Sequence, residues 1–137
     1  MNFFIFVSEQ WLLFSILIAL IFLLIIYEKD KGGKQLGPHE LVSLINSEEA
    51  VLIDLRPLDE FRSGHISGAI NIPHTKLNSR HVELQQHVDK IVVLADKYGQ
   101  HSGSSGKMLS DLGYNVRRLN GGMVEWRDQN MPVVKGT

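Results

Sequence analysis

The sequence predicts an α/β protein: a five-stranded, mostly parallel sheet with flanking helices, preceded by one transmembrane helix. Three observations carry this. The N-terminus holds a long charge-free apolar run, the remainder alternates five short apolar runs with helical patterns, and the composition suits a single globular core. Of 137 residues, 44% are hydrophobic and 21% charged. With the first thirty or so given to a membrane segment, about a hundred remain, enough for one domain.

The anchor comes first. Trp11 to Tyr27 reads WLLFSILIALIFLLIIY, with Ser15 its only polar residue, and Phe3 to Val7 adds an apolar patch upstream. A helix crosses the hydrocarbon core with ~20 apolar residues, ~17 at the lower limit. Trp11 and Tyr27 stand where interfacial aromatics are expected. No Lys or Arg precedes the run and no small-residue cleavage pattern follows it, only YEKDKGGK, which argues against a cleaved signal peptide. Being apolar on every face, it also differs from the one-sided pattern of a core helix. Lys29, Lys31 and Lys34 follow the run while Glu9 precedes it. The positive-inside rule then expects a single-pass protein of a plasma (inner) membrane with its C-terminal domain in the cytoplasm. Expected boundaries are 1–28 for the anchor, 29–34 for a linker and 35–137 for the domain, KGGK at Lys31 to Lys34 reading as flexible.

Strands are expected at Gln35–Leu36, Val51–Leu55, Ala69–Ile72, Ile91–Ala95 and Val116–Leu119. Between them, Pro38 to Asn46 has Leu41, Leu44 and Ile45 at helical spacing with Pro in the first turn. Gly103 to Leu112 has Met108, Leu109 and Leu112 likewise. In such a sheet the functional site lies beyond the carboxyl ends of the strands. A net charge of -1 and the lack of a basic stripe give no reason to expect nucleic acid as a partner. Cysteine is absent, which excludes disulfides, thiolate metal sites and thiol nucleophiles.

Two stretches are specific. Asp54 to Pro73 is DLRPLDEFRSGHISGAINIP, and Ile91 to Trp126 is IVVLADKYGQHSGSSGKMLSDLGYNVRRLNGGMVEW. Asp54 and Arg56 end a buried strand, where they are expected to pair, because an unpaired buried charge is costly. Gly64 and Gly68 permit turns that a Cβ would hinder, with His65 between them bonding backbone. Gly121 and Gly122 turn the chain before a helix whose Trp126 packs on the sheet. These residues are read as structural.

Together the stretches resemble the rhodanese-like family of sulfurtransferase domains, from about Gln35 to Val134. The matching pattern is D-x-R, E-F-x-x-G-H-I-x-G-A and N-I-P, then an apolar strand, a loop, G-Y-x-V-x-x-L-x-G-G and a closing W. The resemblance implies a five-stranded parallel sheet with flanking helices. It also implies a catalytic cysteine directly after the fourth strand, in a loop whose N–H groups stabilise a thiolate or persulfide. Counting along the loop puts that position on Asp96, followed by Lys97, Tyr98, Gly99, Gln100, His101 and Ser102. The chain therefore resembles a membrane-anchored bacterial single-domain member without the nucleophile, and sulfurtransfer by the family's mechanism is excluded.

An Asp in place of the cysteine suggests that its carboxylate fills the N–H cradle as a resident anion. Neutral drift of an unused site is the competing reading. A phosphoryl-accepting aspartate would need Mg²⁺ on further carboxylates, and the nearby Asp54 and Asp111 are better read as strand-end and helix residues. His65, His74, His81, His87 and His101 lie in or near loops but follow no compact ligand spacing, so no metal and no cofactor are expected. His101 could bond the loop or, protonated, bind an anion. No anion-binding set is otherwise assigned. The function expected is a catalytically inactive, membrane-tethered protein-binding or regulatory module. Its partner would be another membrane protein or a membrane-proximal complex, met through the Asp96–Ser102 loop and His74–His87. A sulfurtransferase-related or anion-sensing domain with altered chemistry at Asp96 is the alternative.

Overall fold

The computed structural model describes residues 2–30 and 32–136, with backbone alone at 29 and 30. It divides into two units, 1–30 and 31–137.

In the first unit, α1 (Phe3–Glu9) is followed by α2 (Trp11–Asp30). The window Trp11–Glu28 has a mean hydropathy of 2.6 and no buried residues, and is long and apolar enough to cross a membrane. Ser15, its one uncharged polar side chain before Tyr27, donates to the Trp11 carbonyl at 2.8 Å, so its hydroxyl is satisfied within the helix. Lys31, one of the three lysines behind the expected orientation, lies outside the described residues, as does the side chain of Lys29.

The second unit runs β1 (Lys34–Leu36), α3 (Pro38–Asn46), β2 (Ala50–Asp54), α4 (Leu58–Ser63), β3 (Ile70–Asn71), α5 (Leu77–Arg80), β4 (Ile91–Ala95), α6 (Ser102–Asp111), β5 (Asn115–Leu119) and α7 (Gly122–Asp128). Short 3₁₀ turns at His74–Lys76 and His81–His87 flank α5. The strand order is β1-β5-β4-β2-β3 and every pair is parallel. All five expected strands are present, each displaced by a residue or two at most. β3, at one edge of the sheet, is reduced to Ile70–Asn71.

Alternation along the strands divides the core into two layers. Val93 and Ala95 of β4 join Leu36, Leu41, Leu52, Leu119, Met123 and Trp126 on one face. Val92 and Leu94 join Ile53, Leu55, Ile72, Leu77, Leu84 and Leu109 on the other. Strands buried on both faces explain why they read as continuous apolar runs. Asp54 pairs in register with Ala95, so the loops after β2 and β4 leave the sheet side by side.

The expected linker is different in kind. Gly32 and Gly33 are built into the domain rather than free: Arg118 Nε donates to the Gly33 carbonyl at 2.9 Å, and Gly33 has a φ of +94°. A Cβ on Gly106 of α6 would overlap the Gly32 carbonyl oxygen. The two glycines serve close backbone approach, which a reading of Gly-Gly as a helix breaker does not reveal.

Replacing Gly106 by Ala separates these readings. Helix propensity alone would favour Ala by about 1 kcal/mol. The fixed backbone oxygen opposes it, and we expect a net loss of about 1–3 kcal/mol in chemical unfolding. A neutral or stabilised variant would show that the glycines only space the chain.

Candidate functional site

The site forms where the central strands β2 and β4 end. Asp54 closes β2, and Arg56 folds back on it. Its Nε reaches Asp54 Oδ1 at 3.0 Å and its Nη2 reaches Oδ2 at 2.8 Å. The Arg56 amide also donates to Oδ1, and Nη2 donates to the Gly64 carbonyl at 2.8 Å. Both side chains are buried, so each charge is compensated where water is excluded. Asn71 bridges the turn, its Nδ2 donating to the carbonyls of Asp54 and Arg56.

His65 is fixed as expected. Its backbone exchanges hydrogen bonds with Val134, its Nδ1 lies 2.8 Å from the Phe61 carbonyl, and its ring stacks on Phe61 with centroids 3.8 Å apart. Gly68 needs its φ of +83°, whereas Gly64 is extended, and a Cβ there would displace the tip of the Arg127 side chain. Trp126 is buried in the core and donates from Nε1 to the Pro132 carbonyl at 2.9 Å.

The loop after β4 is built around Asp96, which is 2% exposed. Its Oδ1 accepts from the Gly99 amide, and its Oδ2 accepts from the amides of His101 at 2.6 Å and Ser102 at 3.3 Å. Gly99 reaches this geometry with a φ of +100°. Ser102 opens α6, so the carboxylate sits at a helix N-terminus, where negative charge is favoured. The expected resident anion is thus in place: amides that would otherwise face a ligand are satisfied by the chain itself. On the other side, the Asp96 and Lys97 carbonyls accept from the Met123 and Val124 amides at 2.7 and 3.0 Å. This close approach explains Gly122, left-handed at φ +62°, since a Cβ there would overlap the Asp96 carbonyl, while Gly121, left-handed at φ +73°, has Glu125 Cβ where its own would stand.

Lys97, Tyr98 and Gln100 point outward, Tyr98 being 59% exposed with Lys97 Nζ 5.4 Å from its ring centroid. His101 stacks face to face on His74, centroids 3.8 Å apart and planes within 5°. They line a cavity of about 190 Å³ with Arg56, Glu60 and Asp96. Among the described residues no three His, Asp or Glu side chains are grouped to hold a metal. The remaining histidines scatter: His81 has a buried Nδ1 with no partner among the described residues and offers its carbonyl to the Tyr114 hydroxyl. Within His74–His87, Leu77 and Leu84 are buried while Val82 is exposed. Arg80 grips Glu83 with two hydrogen bonds, which hold that carboxyl below its usual range.

Four participants escaped the sequence reading: Asn71, His74 as the partner of His101, Arg118 and Arg127. Asn71 was visible as the N of N-I-P, but a side chain spanning two carbonyls leaves no periodic trace.

Two variants test this site. Asp96→Ala leaves three amides without their acceptor, and we expect a loss of about 2–3 kcal/mol in unfolding experiments. Sulfate is expected to raise the melting temperature of that variant and not of the parent. Equal sulfate response in both would place the parent's cradle open. Asp54→Asn strands the Arg56 charge and is expected to cost about 3–5 kcal/mol, measured by denaturant titration; a loss near zero would mean the pair is not buried in solution.

Comparison with known proteins agrees with the architecture. The rhodanese-like domain family matches residues 37–129. Uncharacterized protein YibN of Escherichia coli is 38% identical over 99 residues, covering 71% of this chain and 69% of its own length. The thiosulfate sulfurtransferase GlpE of Shewanella oneidensis is 29% identical, covering 71% and 95%. A rhodanese-related protein of Thermoplasma volcanium superposes with a TM-score of 0.69 at 27% identity, covering 75% of this chain and 99% of its own. With the sheet order, the strand-end pair and the loop after β4 in hand, the chain belongs to the rhodanese-like domain family.

Proposed function

We propose that this chain is a catalytically inactive, membrane-tethered rhodanese-like module that binds a protein at the cytoplasmic face of a plasma membrane. One observation carries the reading: a chain without cysteine holds the Asp96 carboxylate on the loop amides Gly99, His101 and Ser102. Sulfurtransfer by the family's route needs a sulfur nucleophile at that position and free donors around the sulfur it carries. Here the nucleophile is missing and the donors are spent. What remains is a well-packed domain with an altered loop behind a helix suited to span a bilayer. Tethering supports binding, because confinement to the membrane raises the effective concentration of neighbours, so that weak contacts suffice.

The full chain, purified in detergent, is expected to form no thiocyanate above background from thiosulfate and cyanide. Turnover dependent on the intact chain would overturn the inactive reading. Amine-reactive crosslinking in native membranes is expected to join the domain to a discrete membrane protein. Recovery of the chain alone, across crosslinker lengths, would overturn the binding reading.

A further inference from the structure

Beside the amide cradle, a pocket of about 230 Å³ is lined by Arg56, Glu60, Lys97 and Arg127 with Met123 and Val124. Its charges are unbalanced. Asp54 neutralises Arg56, whereas among the described residues neither Lys97 nor Arg127 has a carboxylate partner, and Glu60 supplies one negative charge against those two.

Arg56 is 5% exposed and spends Nε and Nη2 on Asp54 and the Gly64 carbonyl, while Nη1 has no hydrogen-bond partner among the described residues. Arg127 Nη2 donates to the same Gly64 carbonyl at 3.3 Å. Two guanidinium groups therefore share one neutral oxygen, and Arg127, unlike Arg56, has no carboxylate to answer it among the described residues, a charge that an external anion relieves. The Lys97 backbone is held beside them, because its carbonyl accepts from the Val124 amide in the first turn of the helix that carries Arg127, and its long exposed side chain lines the same pocket. With Asp96 occupying the loop amides, an anion reaching this end of the sheet meets side-chain cations instead.

We propose that this pocket is a carboxylate-binding site for an acidic segment of a partner protein. Lys97, Arg127 and Arg56 Nη1 take the carboxylate, and Met123 and Val124 take the aliphatic stem that carries it, as in a glutamate side chain. The site rests on the protein-binding reading above and names the chemistry of its partner.

Fluorescence polarisation with a fluorescein-labelled hexaglutamate peptide and the full chain in detergent tests it. Saturable, salt-weakened binding is expected, about tenfold weaker or more in a K97A/R127A variant that unfolds at the parent's temperature. Hexaglutamine is expected not to bind, and free glutarate to compete only weakly. No hexaglutamate binding, equal binding by the double variant, or glutarate competing as well as unlabelled peptide would each overturn the proposal. Crosslinking in native membranes keeps the two claims apart. A partner captured by the parent and equally by K97E/R127E overturns the pocket and leaves the binding reading standing. No partner for the parent overturns that reading, while the peptide titration still decides the pocket.

Discussion

The Asp96 carboxylate, bonded to the amides of its own loop, is the interaction on which the carboxyl end of this sheet depends. A loop of this shape turns several N–H groups inward, and those groups need an acceptor. Asp96 supplies it from within the chain, at the start of α6 where the helix dipole also favours negative charge. The same residue's carbonyl and that of Lys97 hold the first turn of α7, which is why Gly122 must be glycine. Strand β4, the loop, α6 and α7 are thereby joined at one residue.

The second fixed point is the strand-end pair on β2. Asp54 and Arg56 neutralise each other, Arg56 reaches on to the Gly64 carbonyl, and Asn71 closes the turn from the edge strand. This network holds the segment that leads to His65 and its stack on Phe61. The two fixed points differ in their balance of charge. Asp54 and Arg56 cancel, whereas Asp96 is answered by neutral amides, and Lys97 and Arg127, which line the neighbouring pocket, remain for something outside the chain.

Much of this was legible in the sequence because burial on both faces of a parallel sheet leaves unbroken apolar runs such as IVVLA, and because helices announce themselves by spacing and caps, as PHELVSLIN does. The pairing of Asp54 with Arg56 and the burial of Trp126 have local chemical causes: charges ending a buried strand must pair, and a large ring beside a glycine turn must pack. What was hidden depended on contacts between distant segments. Gly32 looked like a spacer because its partner, Gly106, is far along the chain. The stacking of His74 on His101, and the meeting of Arg127 with Arg56 at the Gly64 carbonyl, arise from topology and carry no local pattern.

The central claim is that the loop amides are occupied by the chain's own carboxylate. The most direct measurement is a thiosulfate titration of the ¹⁵N-labelled full chain in micelles, following the amide resonances of Gly99, His101 and Ser102. The account predicts that these three stay unmoved as thiosulfate is added. A saturable shift confined to them would show that an external anion enters the cradle, and would contradict it.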